Sequence, residues 1–398
     1  MPAFGYHSVQ TSLTGKGSLE LLSEEIKKRG LKRALIVTDS FLYKNGTAEK
    51  VALTIEKGQS GFGVFADVQP NPTVDLVEKC YDYAQQIEAD CLVALGGGSA
   101  IDTAKAVGIL CANGGSIRDY EGVRKSQNPS IPLIAVNTTA GTGSEVTSFY
   151  IVTDPKTRSK MCMVDENCMV SIAVNDCELM MTMPPSLTAS TGMDALTHAI
   201  EAYLSRFANP LTDKDALWAI QTISQYLPIA FRDGKNVQAR EMMAHAANIA
   251  GMAFSNSGLG MVHAMAHALG GFYNLPHGIC NAVLLPYVME FNGANKEAER
   301  RFSDIAAALG VSGARFMTPQ RAVSESVRYV KSLSKSLGIP ESMQKLKAVQ
   351  PSDFPKLALL AQKDACLGQN PFTPAYEEIV SLYEKAYQLK NINKKAAG

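Results

Sequence analysis

The chain has 398 residues, with 38 Lys+Arg against 38 Asp+Glu. The net charge of zero leaves no basic excess to hold a nucleic-acid backbone or an anionic membrane surface. Hydrophobic residues make up 46% and charged residues 19%, which excludes the composition of a disordered chain, and the length suits two or three domains of about 100–200 residues each. No run approaches the roughly 18 apolar residues of a membrane span. The start, MPAFGYHSVQTSLTGKGSLE, lacks the basic and apolar regions of a signal peptide. Eight cysteines (80, 91, 111, 162, 168, 177, 280, 366) are scattered with no C-x-x-C pair. A chain this long with such cysteine usage is expected to be soluble and cytoplasmic, with reduced thiols.

Along the first 185 residues, compact apolar runs alternate with helical stretches. ALIVT (34–38), CLVAL (91–95) and IPLIAV (131–136) read as buried parallel strands. Residues 73–88 place Val74, Val77, Cys80, Tyr81 and Ala84 on one helix face. This alternation predicts a parallel α/β sheet over 1–185. After Pro184-Pro185 strand-like runs nearly vanish. Ala/Met/Leu-rich segments such as LTASTGMDALTHAIEAYLS and AREMMAHAANIAGMAF predict a helical domain over 186–398. The tail NINKKAAG reads as a frayed end.

Two loops follow consecutive strands. Gly96-Gly97-Gly98-Ser99 ends CLVAL and opens a helical pattern, with Ser99 as candidate cap and Asp102 in the first turn. A glycine turn at a helix N-terminus brings backbone N–H groups and the positive dipole end to an anion. The pattern is neither G-x-G-x-x-G nor a P-loop, and a ligand-free glycine turn reads the same way. Asn137-Thr138-Thr139-Ala140-Gly141-Thr142-Gly143-Ser144-Glu145 follows IPLIAV with hydroxyls and glycines. Ligands bind at this edge of open α/β sheets, so the two loops together suggest a dinucleotide cleft. Asp39, directly after ALIVT, suits the ribose hydroxyls of NAD and repels the 2′-phosphate of NADP; it also suits an ordinary turn.

The second half holds a metal-like pattern. Of six histidines, four lie between 245 and 277. Asp194 and His198 are four apart and share a helix face, as do His263 and His267; His277 follows ten residues later. One carboxylate with several imidazoles suits Fe²⁺ or Zn²⁺ with an open position. Spacing alone does not select the three or four binders. His245 reads as structural, and Cys280 as core more than ligand. Residues 241–295 contain no Lys or Arg, which favours a small neutral alcohol or aldehyde over an anionic substrate. Phe254, Tyr273 and neighbouring methionines suit either an apolar pocket or ordinary helix core.

Over essentially its whole length the sequence resembles the iron-containing (group III) alcohol dehydrogenases. The likeness is carried by GGGSAIDTAKAVG, by the stretch from NTTAGTGSEVT to GMDALTHAIEAY, by GLGMVHAMAHALGGFYNLPHG and by KDACLGQNP. Within that family it resembles the branch of lactaldehyde reductases, 1,3-propanediol dehydrogenases and bacterial methanol and ethanol dehydrogenases. The resemblance implies an α/β dinucleotide domain and a helical, dehydroquinate synthase-like metal domain with the active site between them. It implies NAD(H) and one divalent metal, iron first and zinc second. It further implies Asp194, His198, His263 and His277 as ligands and His267 as a residue beside the nicotinamide and substrate. Cofactor contacts fall on Asp39, Asn71, Gly97, Gly98, Ser99, Thr138, Thr139, Thr142, Thr147, Phe149, Lys160 and Leu179. Phe149, Phe254 and Cys366 are expected at the substrate pocket. A homodimer or larger homo-oligomer is implied as well. The chain departs from the family at Asn370-Pro371-Phe372, where relatives commonly carry Asn-Pro-Arg.

The expected chemistry is reversible hydride transfer between a small alcohol or diol and NAD, with the metal as Lewis acid on the substrate oxygen and His267 as proton relay. Two alternatives belong to other classes: a metal- and NAD-dependent lyase of the same fold, and a non-catalytic metal- or nucleotide-binding protein. The lyase should surround an acidic substrate with cations, and the non-catalytic protein should have lost a ligand or the GGGS loop.

Overall fold

A computed structural model describes residues 3–387 apart from Arg158 and Lys347; the tail NINKKAAG at 391–398 lies outside the described residues. The strands are β1 (Thr11–Thr14), β2 (Arg33–Asp39), β3 (Gly61–Val68), β4 (Cys91–Gly96), β5 (Gly122–Val123), β6 (Leu133–Asn137), β7 (Phe149–Asp154), β8 (Ser159–Val164) and β9 (Ile172–Asn175). Six of them form one parallel sheet in the order β1-β9-β6-β4-β2-β3. The three apolar runs legible in the sequence are its adjacent inner strands β2, β4 and β6. Every residue of β4 and β6 is buried, as a strand covered on both faces requires. β3 was not legible. It is an edge strand whose Gly61 and Gly63 interrupt the apolar run and whose residues are mostly exposed or half-exposed.

Helices cover both faces. On one side lie α1 (Leu22–Arg29), α2 (Ser40–Lys44) and α3 (Thr47–Lys57), packed over Ile36, Val93 and Ile134; on the other lie α4 (Val74–Gln86) and α5 (Gly98–Asn113), packed over Leu35, Leu92 and Ala135. In α4 the face Val74, Val77, Cys80 and Ala84 is buried as the periodicity requires, with Tyr81 half-buried at its margin. The chain passes from β2 to β3 on one side and then to β4 on the other. The carboxyl ends of β2 and β4 therefore open a crevice at a topological switch point. A second, three-stranded sheet, β5-β8-β7, contains the antiparallel pair β7–β8.

The last sheet strand ends at Asn175, and the first long helix begins at Pro185, whose missing N–H costs nothing at a first helical position. From there the chain is helical: α6 (Pro185–Leu204), α7 (Pro210–Arg232), α8 (Val237–Ser257), α9 (Met261–Tyr273), α10 (His277–Asn292), α11 (Lys296–Ala308), α12 (Pro319–Ser336), α13 (Phe354–Lys363) and α14 (Tyr376–Tyr387). α6 is buried almost all round, which explains its weak amphipathic pattern. α9 ends on Asn274 in the left-handed conformation (φ 51°), and Pro276 precedes α10. That tight reversal returns His277 to the flank of α9. No described helix is long and apolar enough to cross a membrane.

Candidate active site

The cradle end of the cleft is built by glycines. Gly97 precedes α5 without any side-chain cap, and Gly98 and Ser99 line the cleft. The expected cap at Ser99 is not made: α5 begins at Gly98, so Ser99 already lies inside the helix, and its carbonyl accepts from Thr103 Oγ1 at 2.7 Å. The first-turn N–H groups therefore face the crevice without a competing side chain. A Cβ on Gly97 would lie 2.8 Å from both Thr139 Cγ2 and Thr139 Oγ1, and one on Gly98 would lie 2.9 Å from Thr142 Cγ2. The two loops predicted from the sequence thus interlock through these contacts. Thr138 is buried beside them, with its N–H donated to the Gly96 carbonyl at 3.1 Å. Asp39 sits at the end of β2, where its Oδ1 accepts from Phe41 N (2.8 Å) and Leu42 N (2.9 Å) and so caps α2.

Across the cleft, Asp194, His198, His263 and His277 place one donor atom each within 4.8 Å of one another. Asp194 Oδ1 lies 3.5 Å from His277 Nε2 and 4.0 Å from His263 Nε2. A tetrahedral set with bonds of about 2.0–2.2 Å has ligand atoms about 3.4 Å apart, so these positions need only a small contraction. The Asn281 amide nitrogen lies 2.7 Å from Asp194 Oδ1, 3.0 Å from His263 Nε2 and 3.1 Å from His277 Nε2. One NH₂ group has two hydrogens and cannot serve three acceptors. Burial holds His198 down at about 4 and His263 at about 3, and pushes His277 well below its ordinary value, so all three imidazoles stay neutral. A largely buried cluster of neutral imidazoles around one carboxylate, with fewer hydrogens than lone pairs, fits a divalent cation.

The wall between cradle and cluster carries most of the remaining expected residues. Asn71, Thr142, Thr147, Phe149, Lys160, Phe254 and His267 line the cleft with His198, His263 and His277. Asn71 also ties the two halves together, donating from Nδ2 to Asn274 Oδ1 at 2.9 Å. Phe254 stacks on His198 with ring centroids 4.4 Å apart and meets Phe149 edge-on at 5.5 Å, giving the cluster an apolar roof. Two expected residues, Leu179 and Cys366, stand elsewhere, as does His245, which the sequence marks as structural. Leu179 is buried in the core beneath the sheet. Cys366 is fully buried in the helical core and does not form the cleft wall. His245 is half-buried and apart from the cluster. At the family departure, Phe372 packs on Phe291 at 5.2 Å, while Asn370 accepts from Met261 N at 3.1 Å.

The cation-free character read from residues 241–295 does not extend to the whole cleft. Lys160 enters from β8, and a Cβ on Gly270 would lie 3.7 Å from its Nζ. A sequence window sees only its own segment, whereas the cleft is built from both halves. Three further polar residues, Lys105, Glu201 and Asp364, escaped the sequence reading, and Asp102, expected in the first turn of α5, lies one residue beyond it because the helix begins at Gly98. Asp102 lines the cleft and accepts from Ser144 Oγ (2.7 Å) and Ile151 N (3.1 Å). Lys105 is fully buried and donates to the carbonyls of Thr147 (2.7 Å) and Phe149 (2.8 Å), pinning the segment that supplies the wall. Glu201 accepts from Val262 N at 2.6 Å and pairs with His263 Nδ1 at 2.5 Å; burial raises its carboxyl to about 7. Asp364 pairs with His267 Nδ1 at 2.8 Å. Glu201 had a signal, lying seven residues after Asp194 on the same helix face. Asp364 lies in the family-like stretch KDACLGQNP, but no local spacing ties it to His267, 97 residues away.

Comparison with known proteins decides the family. The model for iron-containing alcohol dehydrogenases matches residues 10–177, and that for the C-terminal part of the Fe-containing alcohol dehydrogenase family matches 188–387. This chain belongs to the iron-containing alcohol dehydrogenase family. It is 44% identical over 386 residues to alcohol dehydrogenase 4 of Schizosaccharomyces pombe, covering 97% of this chain and 90% of that one. It is 41% identical to the NAD-dependent methanol dehydrogenase of Bacillus methanolicus, covering 94% and 97%. The fold matches a crystal structure of 1,3-propanediol oxidoreductase with a TM-score of 0.92 at 39% identity, covering 97% of this chain and all of that one. The family member is a metal-dependent alcohol/aldehyde oxidoreductase, which the matches favour over both the lyase and the non-catalytic alternative.

Proposed function

We propose that the protein interconverts a small neutral alcohol or diol and its aldehyde with NAD(H), using one divalent ion held by Asp194, His198, His263 and His277. The observation that carries this reading is the convergence of those four donor atoms within 4.8 Å beside the glycine cradle. When bound, the ion supplies Lewis-acid polarisation of the substrate oxygen and the nicotinamide supplies hydride chemistry. Iron is the first assignment, and zinc suits the same ligand set.

The chain's own residues do the rest. Gly97, Gly98 and Ser99 receive the pyrophosphate, with Thr138, Thr139 and Thr142 closing over it. Asp39 keeps Oδ2 for the adenosine ribose while Oδ1 caps α2. Asn71, Thr147 and Lys160 orient the ribose–nicotinamide half. Phe149 and Phe254 exclude water from the reacting carbon. His267 carries the substrate hydroxyl proton toward solvent. Leu179 and Cys366 shape the cofactor and substrate sites from behind the wall.

We further assign residues 1–185 to the cofactor domain and 186–398 to the metal domain, in a cytoplasmic homo-oligomer; the eight unpaired cysteines support a reducing compartment. The test is to strip the metal with a chelator and reload it anaerobically with Fe²⁺ or Zn²⁺. NADH absorbance is then followed over C1–C4 alcohols, diols and aldehydes. Metal-dependent NADH formation is expected. NAD binding without turnover under either metal contradicts the reading.

A further inference from the structure

His267 has two ring nitrogens, and the structure shows what fixes their roles. Asp364 precedes the short turn Ala365–Gln369, and its Oδ1 accepts the Cys366 backbone N–H at 2.8 Å. Its Oδ2 lies 2.8 Å from His267 Nδ1. Both side chains are more than nine-tenths buried, so no water competes for that contact. An ionised carboxylate only accepts hydrogen bonds, so the shared proton sits on Nδ1. His267 lines the cleft, and the nitrogen left for the cleft is Nε2, bearing a lone pair.

We propose that Asp364 is a positioning residue: it locks His267 in the Nδ1–H tautomer, so that Nε2 faces the cleft as the acceptor of the substrate hydroxyl proton. The inference rests on the assignment of His267 to proton transfer. In the transfer the substrate O–H bond breaks and an Nε2–H bond forms. The ring then carries both protons beside the Asp364 carboxylate, until Nε2 returns its proton to water. His267, Asp364 and Cys366 also offer donor atoms within 4.8 Å of one another, the outline of a second metal site. The 2.8 Å contact between nitrogen and oxygen is shorter than the roughly 3.4 Å between two ligands of one ion and is an ordinary hydrogen-bond length, so the direct pair is favoured.

Asp364→Asn gives a specific test. The Cys366 N–H needs an acceptor, so the asparagine oxygen stays with it and the NH₂ group turns to His267 Nδ1. Nδ1 must then accept, and the proton moves to Nε2, the wrong nitrogen for the task. With the iron-loaded enzyme, kcat is expected to fall about 100-fold, the lower end of what general acid–base groups contribute, while metal content and NAD affinity stay at wild-type values. With ¹⁵N-histidine-labelled, zinc-loaded protein, the His267 ring, identified by its absence in His267→Asn, is expected to show a protonated Nδ1. In Asp364→Asn it should show a protonated Nε2.

A wild-type ring protonated at Nε2 overturns the inference, and that reading needs no variant of Asp364. Wild-type turnover in Asp364→Asn alongside slow His267→Ala overturns the inference and leaves the relay standing. Wild-type turnover in His267→Ala overturns both. Loss of a second equivalent of metal in Asp364→Asn replaces the tautomer lock with an ion site.

Discussion

The two sides of the cleft are made of opposite materials. The metal side is built from side chains, four donor atoms brought together from α6, α9 and the start of α10 and steadied by Glu201 and Asn281. The cradle side is built from missing side chains, where Gly97 and Gly98 let Thr139 and Thr142 approach the backbone. The comparison teaches how each side fails. The metal side is broken by taking atoms away, and the cradle by putting them in.

The largest effect should come from His263→Ala. Removing one of the converging ligands is expected to abolish bound metal and reduce turnover to background, while NAD binding measured by calorimetry is unchanged. Retained metal in that variant would break the division between the two sides. Gly97→Ala should do the reverse. Its new Cβ lies 2.8 Å from Thr139 Cγ2, and relief of such overpacking costs about 1–3 kcal/mol. NAD affinity should then fall about ten-fold or more, at about 1.4 kcal/mol per decade, with metal content unchanged.

Lys105→Met tests the wall between them. The carbonyls of Thr147 and Phe149 lose a buried donor, a cost of about 1–3 kcal/mol that denaturant unfolding should read as a lower midpoint. The smallest effect belongs to Asp39→Gly. Glycine replaces the α2 cap at a cost of only a few tenths of a kcal/mol, so stability should barely move. Loss of one carboxylate near a 2′-phosphate is worth about 1 kcal/mol at a water-exposed contact, so the NADP/NAD ratio of kcat/KM should rise about five-fold. An unchanged ratio would leave Asp39 as a helix cap alone.

The same contrast explains what the sequence disclosed. Inner strands β2, β4 and β6 were legible because burial on both faces demands unbroken apolar runs, and edge strand β3 was not because one side of it needs no such run. The i, i+4 spacing put Asp194 with His198 and His263 with His267, because α6 and α9 are continuous through those residues. The choice between His267 and His277 was closed to spacing. It depends on the reversal at Asn274–Pro276, which sets α10 against α9, and no local period encodes that angle. Asp364 and Lys160 were beyond local reading for the same reason, since each meets the site from a distant segment. Family resemblance supplied the ligand set that periodicity left open, and the geometry supplied the partners that resemblance did not name.

The measurement that bears most directly on this account is metal stoichiometry across five single variants: Asp194→Ala, His198→Ala, His263→Ala, His277→Ala and His267→Ala, each loaded anaerobically with Fe²⁺ and desalted. The account predicts one ion per chain in the wild type and in His267→Ala, and loss of the ion in the other four. An empty His267→Ala, or a fully loaded variant among the four, would contradict it.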